Sequence, residues 1–207
     1  MDSADKEQLR KRFLSARKAL DPCDRRKKSD RIVEHVLSLP EYISAGVVMV
    51  YCSIGSEVRT DELIRDMLIS GKRVVLPCCS KEARKMNIAE ITTPESDLVE
   101  GPFGTVEPAE RLQGTVSGSE VELAICPGVA FDLFGTRLGR GKAYYDSFLV
   151  TLKNRVPITG LAFACQIYNQ RLPTDSHDIP MDQIITESGP LLGDTVSQSF
   201  RAHDYRT

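Results

Sequence analysis

The 207-residue sequence predicts a single α/β domain with an open, mostly parallel β-sheet and helices on both faces, a three-layer α/β/α arrangement. Short apolar runs alternate with amphipathic segments along the chain, which is the pattern of strand–helix–strand units. Hydrophobic residues are 41 % and charged residues 27 % of the chain, the balance of a globular protein with its own core. We expect this domain to occupy residues 1–188 and residues 189–207 to form an irregular tail, because the sequence after Gly189 lacks periodicity.

The helices follow from apolar spacing and from capping signals. They are expected at residues 4–20, from Pro22 to about Leu39, from Thr60 to Gly71 and at residues 141–152. The first helix has apolar residues at helical spacing on one face: Leu9, Phe13, Ala16 and Leu20. Asp21 and Pro22 mark the start of the second, since aspartate caps a helix N-terminus and proline fits the first turn.

The strands follow from short apolar runs bounded by turn residues. They are expected at VVMVYCS after Gly46, RVVLPC from Arg73, MNIAEIT from Met86, LAIC from Leu123, ITGLAFA from Ile158 and MDQIIT from Met181. The stretch from Thr93 to Gly118 is rich in proline and glycine, so we expect it to be mostly loop. Ligands of parallel sheets bind beyond the carboxyl ends of strands. The loops after VVMVYC and LAIC lie at such ends and are the first places to look for a site.

Charge and composition argue against several classes of protein. The formal net charge of −2 suggests neither a nucleic-acid partner nor an anionic membrane partner. The N-terminal MDSADKEQLR has no apolar segment typical of a secretory signal, and no apolar run approaches the ~20 residues of a membrane span. None of the six cysteines forms a CxxC pair, so we expect reduced thiols and no zinc site. A cytoplasmic location is the default, and a mitochondrial pool stays open.

Cations crowd the first two expected helices. They are Lys6, Arg10, Lys11, Arg12, Arg17, Lys18, Arg25, Arg26, Lys27, Lys28 and Arg31. Charged residues at this density are usually solvated, so we interpret most of them as two solvent-facing helix surfaces.

The segment PGVAFDLFGTRLGRGKAYYD, Pro127 to Asp146, carries the strongest chemical signal. Its glycines allow close approach of the backbone to a ligand, and its cations and one carboxylate suit a phosphate and a Mg²⁺ ion. The segment is not a Walker A loop, because Thr136 replaces the first glycine and Ala143 follows Lys142. It is not a Rossmann fingerprint either, because Gly139 and Gly141 lack the third glycine. From the residues alone, an anion-binding loop and a glycine-rich turn with solvated arginines both stay open.

This segment closely resembles the signature PGxxFDxxGxRLGxGxGYYD of the 5-formyltetrahydrofolate cyclo-ligase family. Four further segments resemble the same family: KEQLR near the start, YCSIGSEVRT, FGTVEP and HDIPMDQIIT. The resemblance covers residues 1 to about 188. It implies a single α/β domain with a mixed, mostly parallel sheet, and a monomeric enzyme that acts on small molecules.

The resemblance also implies the reaction. ATP and Mg²⁺ drive the conversion of 5-formyltetrahydrofolate to 5,10-methenyltetrahydrofolate, with release of ADP and phosphate. ATP phosphorylates the formyl oxygen, N10 attacks the formyl carbon, and phosphate leaves. No protein nucleophile is required, so catalysis is expected to come from positioning and charge neutralisation.

The family pattern assigns roles to individual residues. ATP binding falls to Lys6, Arg10, Arg137, Leu138, Gly139, Arg140, Gly141, Lys142, Ala143, Tyr144 and Tyr145. The catalytic roles fall to Lys142, Arg137 and Tyr145, with Lys142 as the main phosphate cation. The folate is assigned to Cys52, Glu57, Phe103, Tyr144 and Tyr145, and the metal to Asp146 and Asp182. Structural alternatives stay open for several of them: solvated charges for Lys6 and Arg10, a loop or cap residue for Glu57, a core residue for Phe103, a turn cap for Asp182 and a loop-ordering role for His177.

Ala143 departs from the family pattern, which has glycine at this position. A helix is expected to begin here and alanine is a strong helix former, so we expect a negative φ and little effect on ATP affinity. A positive φ would instead strain the alanine by roughly 1–2 kcal/mol.

Two other functions compete with an active cyclo-ligase. A non-catalytic nucleotide or folate binder could share the domain, and Ala143 is the sequence feature in its favour. A phosphosugar-isomerase-like enzyme could share a similar sheet but would need no ATP loop.

Overall fold

The structure is a computed structural model that describes residues 3–80, 85–101, 106–141, 143–152 and 156–191. The helices in these residues are α1 (Ser3–Lys18), α2 (Pro22–Leu37), α3 (Pro40–Ser44), α4 (Asp61–Ile69), α5 (Pro94–Asp97) and α6 (Tyr144–Leu149). The strands are β1 (Val47–Met49), β2 (Arg73–Ser80), β3 (Lys85–Ile91), β4 (Leu98–Glu100), β5 (Val106–Pro108), β6 (Leu123–Pro127), β7 (Ala130–Asp132), β8 (Arg137–Leu138), β9 (Ile158–Leu161), β10 (Ile167–Tyr168), β11 (Gln183–Thr186) and β12 (Gly189–Pro190).

Seven strands form the main sheet, in the order β12-β11-β9-β6-β1-β2-β3. The four central pairs are parallel, and the two edge pairs, β2–β3 and β11–β12, are antiparallel. The prediction of an open, mostly parallel sheet is therefore confirmed. The edges differ because only short connections separate those strands in sequence, whereas a parallel pair needs a longer crossover.

Both faces of the main sheet are covered, as predicted. Along β1, Val48 packs in a core with Ile32 of α2 and Leu63 of α4. Met49, the next residue, packs in a second core with Phe148 of α6. Alternate residues of a strand point to opposite faces, so one short strand contributes to both helical layers.

A small three-stranded sheet, β10-β7-β8, follows the end of β6 and carries α1. Phe13 of α1 packs with Val129 and Leu138, and its ring meets the edge of Tyr168 at a centroid distance of 5.8 Å. This packing fixes α1 next to the segment that contains the signature sequence.

Asp21 caps the second helix as predicted, whereas Thr60, at the expected start of a later helix, makes no capping hydrogen bond. Asp21 Oδ1 accepts hydrogen bonds from the backbone N–H groups of Cys23 and Asp24, at 2.8 and 3.3 Å, and so caps α2 as predicted. Thr60 does precede α4, but its hydroxyl donates to the Tyr51 carbonyl at 2.6 Å instead of capping the helix. None of the helices in the described ranges is long and apolar enough to span a bilayer.

Two regions contain more structure than the sequence suggested. The 93–118 stretch, expected to be mostly loop, includes α5 and the β4–β5 hairpin. At the C-terminus, Gly189 and Pro190 pair with β11, so the sheet extends past the predicted boundary at residue 188. Gly189 has φ +112°, a conformation that glycine adopts readily and that lets the chain turn back. Residues 192–207 of the expected tail lie outside the described residues.

Candidate active site

A cavity of about 510 Å³ lies beyond the carboxyl ends of β1 and β6, where the sequence directed the search. Most of the predicted site residues line it: Lys6, Arg10, Cys52, Glu57, Arg137, Leu138, Gly139, Arg140, Gly141, Ala143, Tyr144, Tyr145 and Asp146. These residues come from α1, from the loop after β1 and from the segment between β8 and α6. The fold therefore brings three distant parts of the chain to one cavity.

Two predicted residues, Lys142 and Phe103, lie outside the described residues. Asp182 does not line the cavity, and its Oδ2 accepts a hydrogen bond from the backbone N–H of Ile158 at 2.9 Å. Asp182 thus links the starts of β9 and β11, which is a structural contact different from the turn cap left open for it.

Helix α1 presents Lys6 and Arg10 to the cavity on one face, as their four-residue spacing predicts. Arg10 Nε donates to the Gly139 carbonyl at 3.0 Å. Lys6 Nζ donates to Asp175 Oδ2 at 2.7 Å and to Asp178 Oδ2 at 3.1 Å. Burial lowers the pKa of Lys6, but the hydrogen bonds and charges of these two aspartates outweigh it, so the pKa lies above its usual value. Both cations are held in place and are not solvated surface charges.

The two aspartates that hold Lys6 were missed by the sequence interpretation. Asp175, His177 and Asp178 form a cluster whose potential ligand atoms lie within 4.8 Å of one another, and all three line the cavity. The hydrogen bond and charge of Lys6 hold the pKa of Asp175 below its usual value. The only signal in the sequence was the acidic TDSHD stretch itself, which reads equally well as a polar turn. One ammonium group, Lys6 Nζ, forms ion pairs with both carboxylates of this cluster.

Arg137 and Asp146 form a buried pair at the base of the cavity. The Arg137 side chain is 4 % exposed, and one of its terminal nitrogens donates to Asp146 Oδ1 at 2.7 Å. The guanidinium lies 5.4 Å from the Tyr145 ring centroid, and its Nε has no hydrogen-bond partner among the described residues. The backbone N–H of Ile179 also donates to Asp146 Oδ1, at 3.2 Å. The arginine is therefore fixed by its partners and keeps one donor unused.

The expectation of a negative φ at Ala143 is wrong. Ala143 has φ +52° and ψ +16°, and it is the one non-glycine residue in the described part of the chain with a positive φ. The helix α6 begins one residue later, at Tyr144, so Ala143 is its N-cap and not its first helical residue. The family's glycine would adopt this conformation without the clash that a Cβ introduces, about 1–2 kcal/mol.

The opposite wall of the cavity is formed by the loop after β1. Glu57 is buried there, and its Oε2 accepts from the Ile54 backbone N–H at 3.0 Å. Its Oε1 accepts from a terminal nitrogen of Arg140 at 2.6 Å. The Glu57 carboxylate thus faces the cavity with one oxygen fixed by its own loop and the other engaged by the signature segment.

Arg17 is hydrogen-bonded to the loop that carries Glu57. The sequence interpretation did not identify it as part of the site. It is 3 % exposed, its Nε donates to Ser56 Oγ at 3.0 Å, and a terminal nitrogen donates to the Gly128 carbonyl at 3.1 Å. Burial lowers its pKa, and the nearby charge of Glu57 opposes that effect. Arg17 lies four residues after Phe13, on the buried face of α1, so helical spacing could have distinguished it from the solvated cations.

Cys52 and Tyr51 complete the wall. Burial raises the pKa of the Cys52 thiol to about 11, so the group is neutral near pH 7 and offers a weakly polar contact instead of a thiolate nucleophile. The Tyr51 hydroxyl donates to the Val58 carbonyl at 3.0 Å, which closes the base of the loop.

The cavity lining combines two chemically different sets of residues, which we call its two halves. Lys6, Arg10, Arg137 and Arg140 supply cations. Glu57, Cys52, Tyr144 and Tyr145 offer a carboxylate and flat or weakly polar surfaces. The first set suits a polyphosphate, and the second suits a planar heterocycle with N–H donors.

Known proteins match both the sequence and the fold. The 5-formyltetrahydrofolate cyclo-ligase family matches residues 2–187. A 5-formyltetrahydrofolate cyclo-ligase from Haemophilus influenzae is 28 % identical over 89 % of this chain and 99 % of its own length, and one from Mus musculus is 30 % identical over 88 % and 93 %. The solved 5,10-methenyltetrahydrofolate synthetase of Aquifex aeolicus is 36 % identical, with a TM-score of 0.77, over 89 % of this chain and 91 % of that one.

The family match spans six of the seven strands of the main sheet, all residues that line the cavity and the signature segment. The family match alone covers nearly all of the described residues, and the fold agrees with that of a family member. This chain therefore belongs to the 5-formyltetrahydrofolate cyclo-ligase family, a family of ligases.

Proposed function

We propose that this chain converts 5-formyltetrahydrofolate to 5,10-methenyltetrahydrofolate in an ATP- and Mg²⁺-dependent reaction that releases ADP and phosphate. One observation carries the proposal: a single cavity joins the cations of the signature segment to the buried carboxylate of Glu57. A reaction that moves phosphate from a nucleotide to a folate needs both halves within one enclosed space.

The cationic half would hold ATP. Lys6 and Arg10 reach it from α1, and Arg137 is held at its base by Asp146. Lys142 belongs to the same segment and is proposed as the main phosphate cation on the family pattern. Charge-assisted hydrogen bonds from these groups would neutralise the transferring phosphoryl group, which is the main demand of phosphoryl transfer.

Asp146 is the residue proposed to hold Mg²⁺. Its two described hydrogen bonds both engage Oδ1, so Oδ2 is left to offer a hard oxygen to a cation. Nucleotide-bound Mg²⁺ usually takes one or two carboxylates together with phosphate oxygens, so one aspartate at this position fits. When bound, Mg²⁺ would neutralise charge on the phosphate oxygens. Asp182, 2.9 Å from the Ile158 nitrogen, has a structural role that does not support its share in this site.

The other half would hold the pterin of the folate. Glu57 can accept hydrogen bonds from pterin N–H groups, and Cys52, Tyr144 and Tyr145 would flank the ring. Phe103 is proposed as a stacking residue on the family pattern alone.

The bond changes then follow from ordinary chemistry. The formyl oxygen attacks the γ-phosphorus, and the bond from that phosphorus to the ADP oxygen breaks. N10 attacks the activated formyl carbon, the carbon–oxygen bond breaks, and phosphate leaves as N10 loses its proton. Arg137 and the α1 cations would hold the γ-phosphoryl group against the formyl oxygen, while Glu57 orients the ring. A monomer acting on small molecules in the cytoplasm would suffice for these steps.

The proposal is tested by following the near-ultraviolet absorbance of the methenyl product. The full chain is mixed with 5-formyltetrahydrofolate, Mg²⁺ and ATP, and product should form only in the complete mixture. Matched reactions lack ATP or contain a chelator in place of Mg²⁺. Absence of an ATP-dependent signal, under conditions in which an authentic cyclo-ligase works, would overturn the proposed activity.

A second candidate is a non-catalytic binder of nucleotide or folate. The strained φ of Ala143 favours it, since the signature segment departs here from the family pattern. Calorimetric binding of both ligands without turnover would support this alternative, whereas turnover would exclude it.

A further inference from the structure

The two halves of the cavity are joined by an ion pair. Arg140 and Glu57 are 83 residues apart in sequence, and their side chains meet at 2.6 Å across the cavity. Arg140 belongs to the segment proposed to hold phosphate, and Glu57 is the residue proposed to hold the pterin. The pair therefore links the two proposed substrate sites directly.

The two partners are held very unequally. The Glu57 side chain is 7 % exposed and anchored by the Ile54 N–H, whereas the Arg140 side chain is 54 % exposed. Water can solvate the guanidinium as it leaves, so a pair with one exposed partner is easily exchanged. Arg140 is the partner able to move.

The backbone on either side of Arg140 is fixed by its neighbours, whereas the half-exposed side chain contacts only Glu57 among the described hydrogen bonds. The Gly139 carbonyl accepts from Arg10 Nε at 3.0 Å, and Gly141 has φ +90°. A Cβ at residue 141 would lie 3.3 Å from the Arg10 guanidinium carbon, so glycine permits this close approach. Arg140 can thus change partner without a change in the position of its own loop.

Glu57 keeps a cationic neighbour when Arg140 leaves. Arg17 is bonded to Ser56, the residue before Glu57, and its charge interacts with both Glu57 and Arg140. A buried carboxylate without any compensating charge would be strongly unfavourable. Because Arg17 remains, departure of Arg140 releases Glu57 Oε1 as an acceptor without leaving the carboxylate unbalanced.

We propose that the Arg140–Glu57 pair couples the two substrates, because nucleotide phosphate draws Arg140 away and frees Glu57 to bind the folate. The inference rests on the proposed function and adds a dependence of one substrate's affinity on the other: the folate binds more tightly when nucleotide is present. Coupling of binding free energies is reciprocal, so the folate must also tighten the nucleotide.

The test measures the Kd of 5-formyltetrahydrofolate by calorimetry, with and without a saturating non-hydrolysable ATP analogue and Mg²⁺. The wild-type chain should bind the folate at least about fivefold more tightly when the analogue is present, the lower end of usual coupling. Arg140→Gln removes the charge, so the folate should bind tightly without the analogue and the ratio of the two Kd values should fall below about twofold.

Two further variants separate the pair from general effects of charge. Arg171→Gln removes another exposed arginine, one that stacks on Phe134 at 3.9 Å and does not line the cavity, and should keep the wild-type ratio. Arg140→Lys retains a cation that can pair with Glu57 and should keep most of the coupling. Circular dichroism checks that each variant is folded, which the exposure of Arg140 favours.

The outcomes are distinct. If wild-type chain binds both ligands with equal folate affinity in the two conditions, or if Arg140→Gln keeps the wild-type ratio, the coupling proposal is wrong. If the wild-type chain binds neither ligand, the proposed function fails and the coupling fails with it. A loss of coupling in Arg140→Gln, with unchanged coupling in Arg171→Gln, supports the pair.

Discussion

Helices α1 and α2 contain sixteen residues each and are both rich in cations, yet they use those cations differently. In α1, Lys6, Arg10 and Arg17 turn toward the cavity or lie beneath it, and each has a protein partner. In α2, Arg26, Lys27 and Arg31 are exposed, whereas Arg25 and Lys28 contact the Leu20 carbonyl and Glu187. Among the described residues, no cation of α2 lines the cavity, so the same residue types at similar density contribute to the site from α1 and not from α2.

The difference arises from what each helix covers. Helix α2 lies on the main sheet, and its buried face is apolar at Ile32, Val33 and Val36. Helix α1 lies on the small sheet at the edge of the cavity, so its inward face is apolar only at the centre, around Phe13. Arg10 and Arg17 fall on either side of that centre, within reach of backbone carbonyls at Gly139 and Gly128. A charged side chain can lie on the buried face of a helix where backbone carbonyls or polar side chains accept its hydrogen bonds.

The largest effect is expected for Arg17→Met. The change leaves Ser56 Oγ without its buried donor and removes one of two donors to the Gly128 carbonyl, which keeps its hydrogen bond from Gln166 Nε2. Because two hydrogen bonds from a buried charge are lost, the free energy of unfolding should fall by about 2–4 kcal/mol. Denaturant unfolding measures that loss, and the KM for the folate should rise because Glu57 follows Ser56. Lys27→Met, the matched change in α2, should alter stability by less than about 0.5 kcal/mol. Equal effects of the two changes would erase the distinction between the helices.

A smaller effect on stability but a clear effect on activity is expected for Arg10→Met. The change removes a cation from the proposed phosphate site and a hydrogen bond to the Gly139 carbonyl. Charged hydrogen bonds of this kind contribute about 1.5–3 kcal/mol, so kcat/KM for ATP should fall roughly 10- to 100-fold. Steady-state kinetics measure this, with Arg31→Met in α2 as the exposed control. An unchanged kcat/KM for ATP would remove Arg10 from the site.

The smallest effect is expected at the segment that α1 contacts. Ala143→Gly relieves a positive φ, so stability should rise by up to about 1 kcal/mol, and ATP affinity should change less than about threefold. Ala109 is also an N-cap but has φ −56°, so Ala109→Gly should destabilise the fold. Thermal unfolding and nucleotide titration measure the two effects. A gain in ATP affinity above about tenfold would show that the alanine impairs the segment.

Local patterns were sufficient for most of the fold. The period of two in strands and the spacing of Leu9 and Phe13 in α1 follow from burial, which the order of apolar residues records directly. The hairpin of β4 and β5 escaped prediction, because a proline at residue 108 can end a strand as readily as it marks a loop.

Local motifs identified most of the residues that line the cavity. Described residues of the signature segment, Glu57 and the α1 cations all lie there, while their roles remain a proposal. Asp175 and Asp178 could not be found in this way, since their partner, Lys6, lies some 170 residues away. Asp182 matches the family's closing HDxPxDxIIT motif equally well. Next to β11, however, its carboxylate accepts a hydrogen bond from the Ile158 backbone N–H.

The sequence by itself determined the α/β class, the mostly parallel sheet and the location of a segment rich in glycine and cations beyond the carboxyl ends of strands. Apolar periodicity and motif spacing are local properties of the chain, so they can be recognised without knowledge of tertiary contacts. Only the tertiary structure decided which cations of α1 are buried, that Ala143 has a positive φ, and that Arg140 pairs with Glu57. Those features depend on partners brought together from distant positions, and a side chain's surroundings then decide whether its charge is solvated, paired or exchanged.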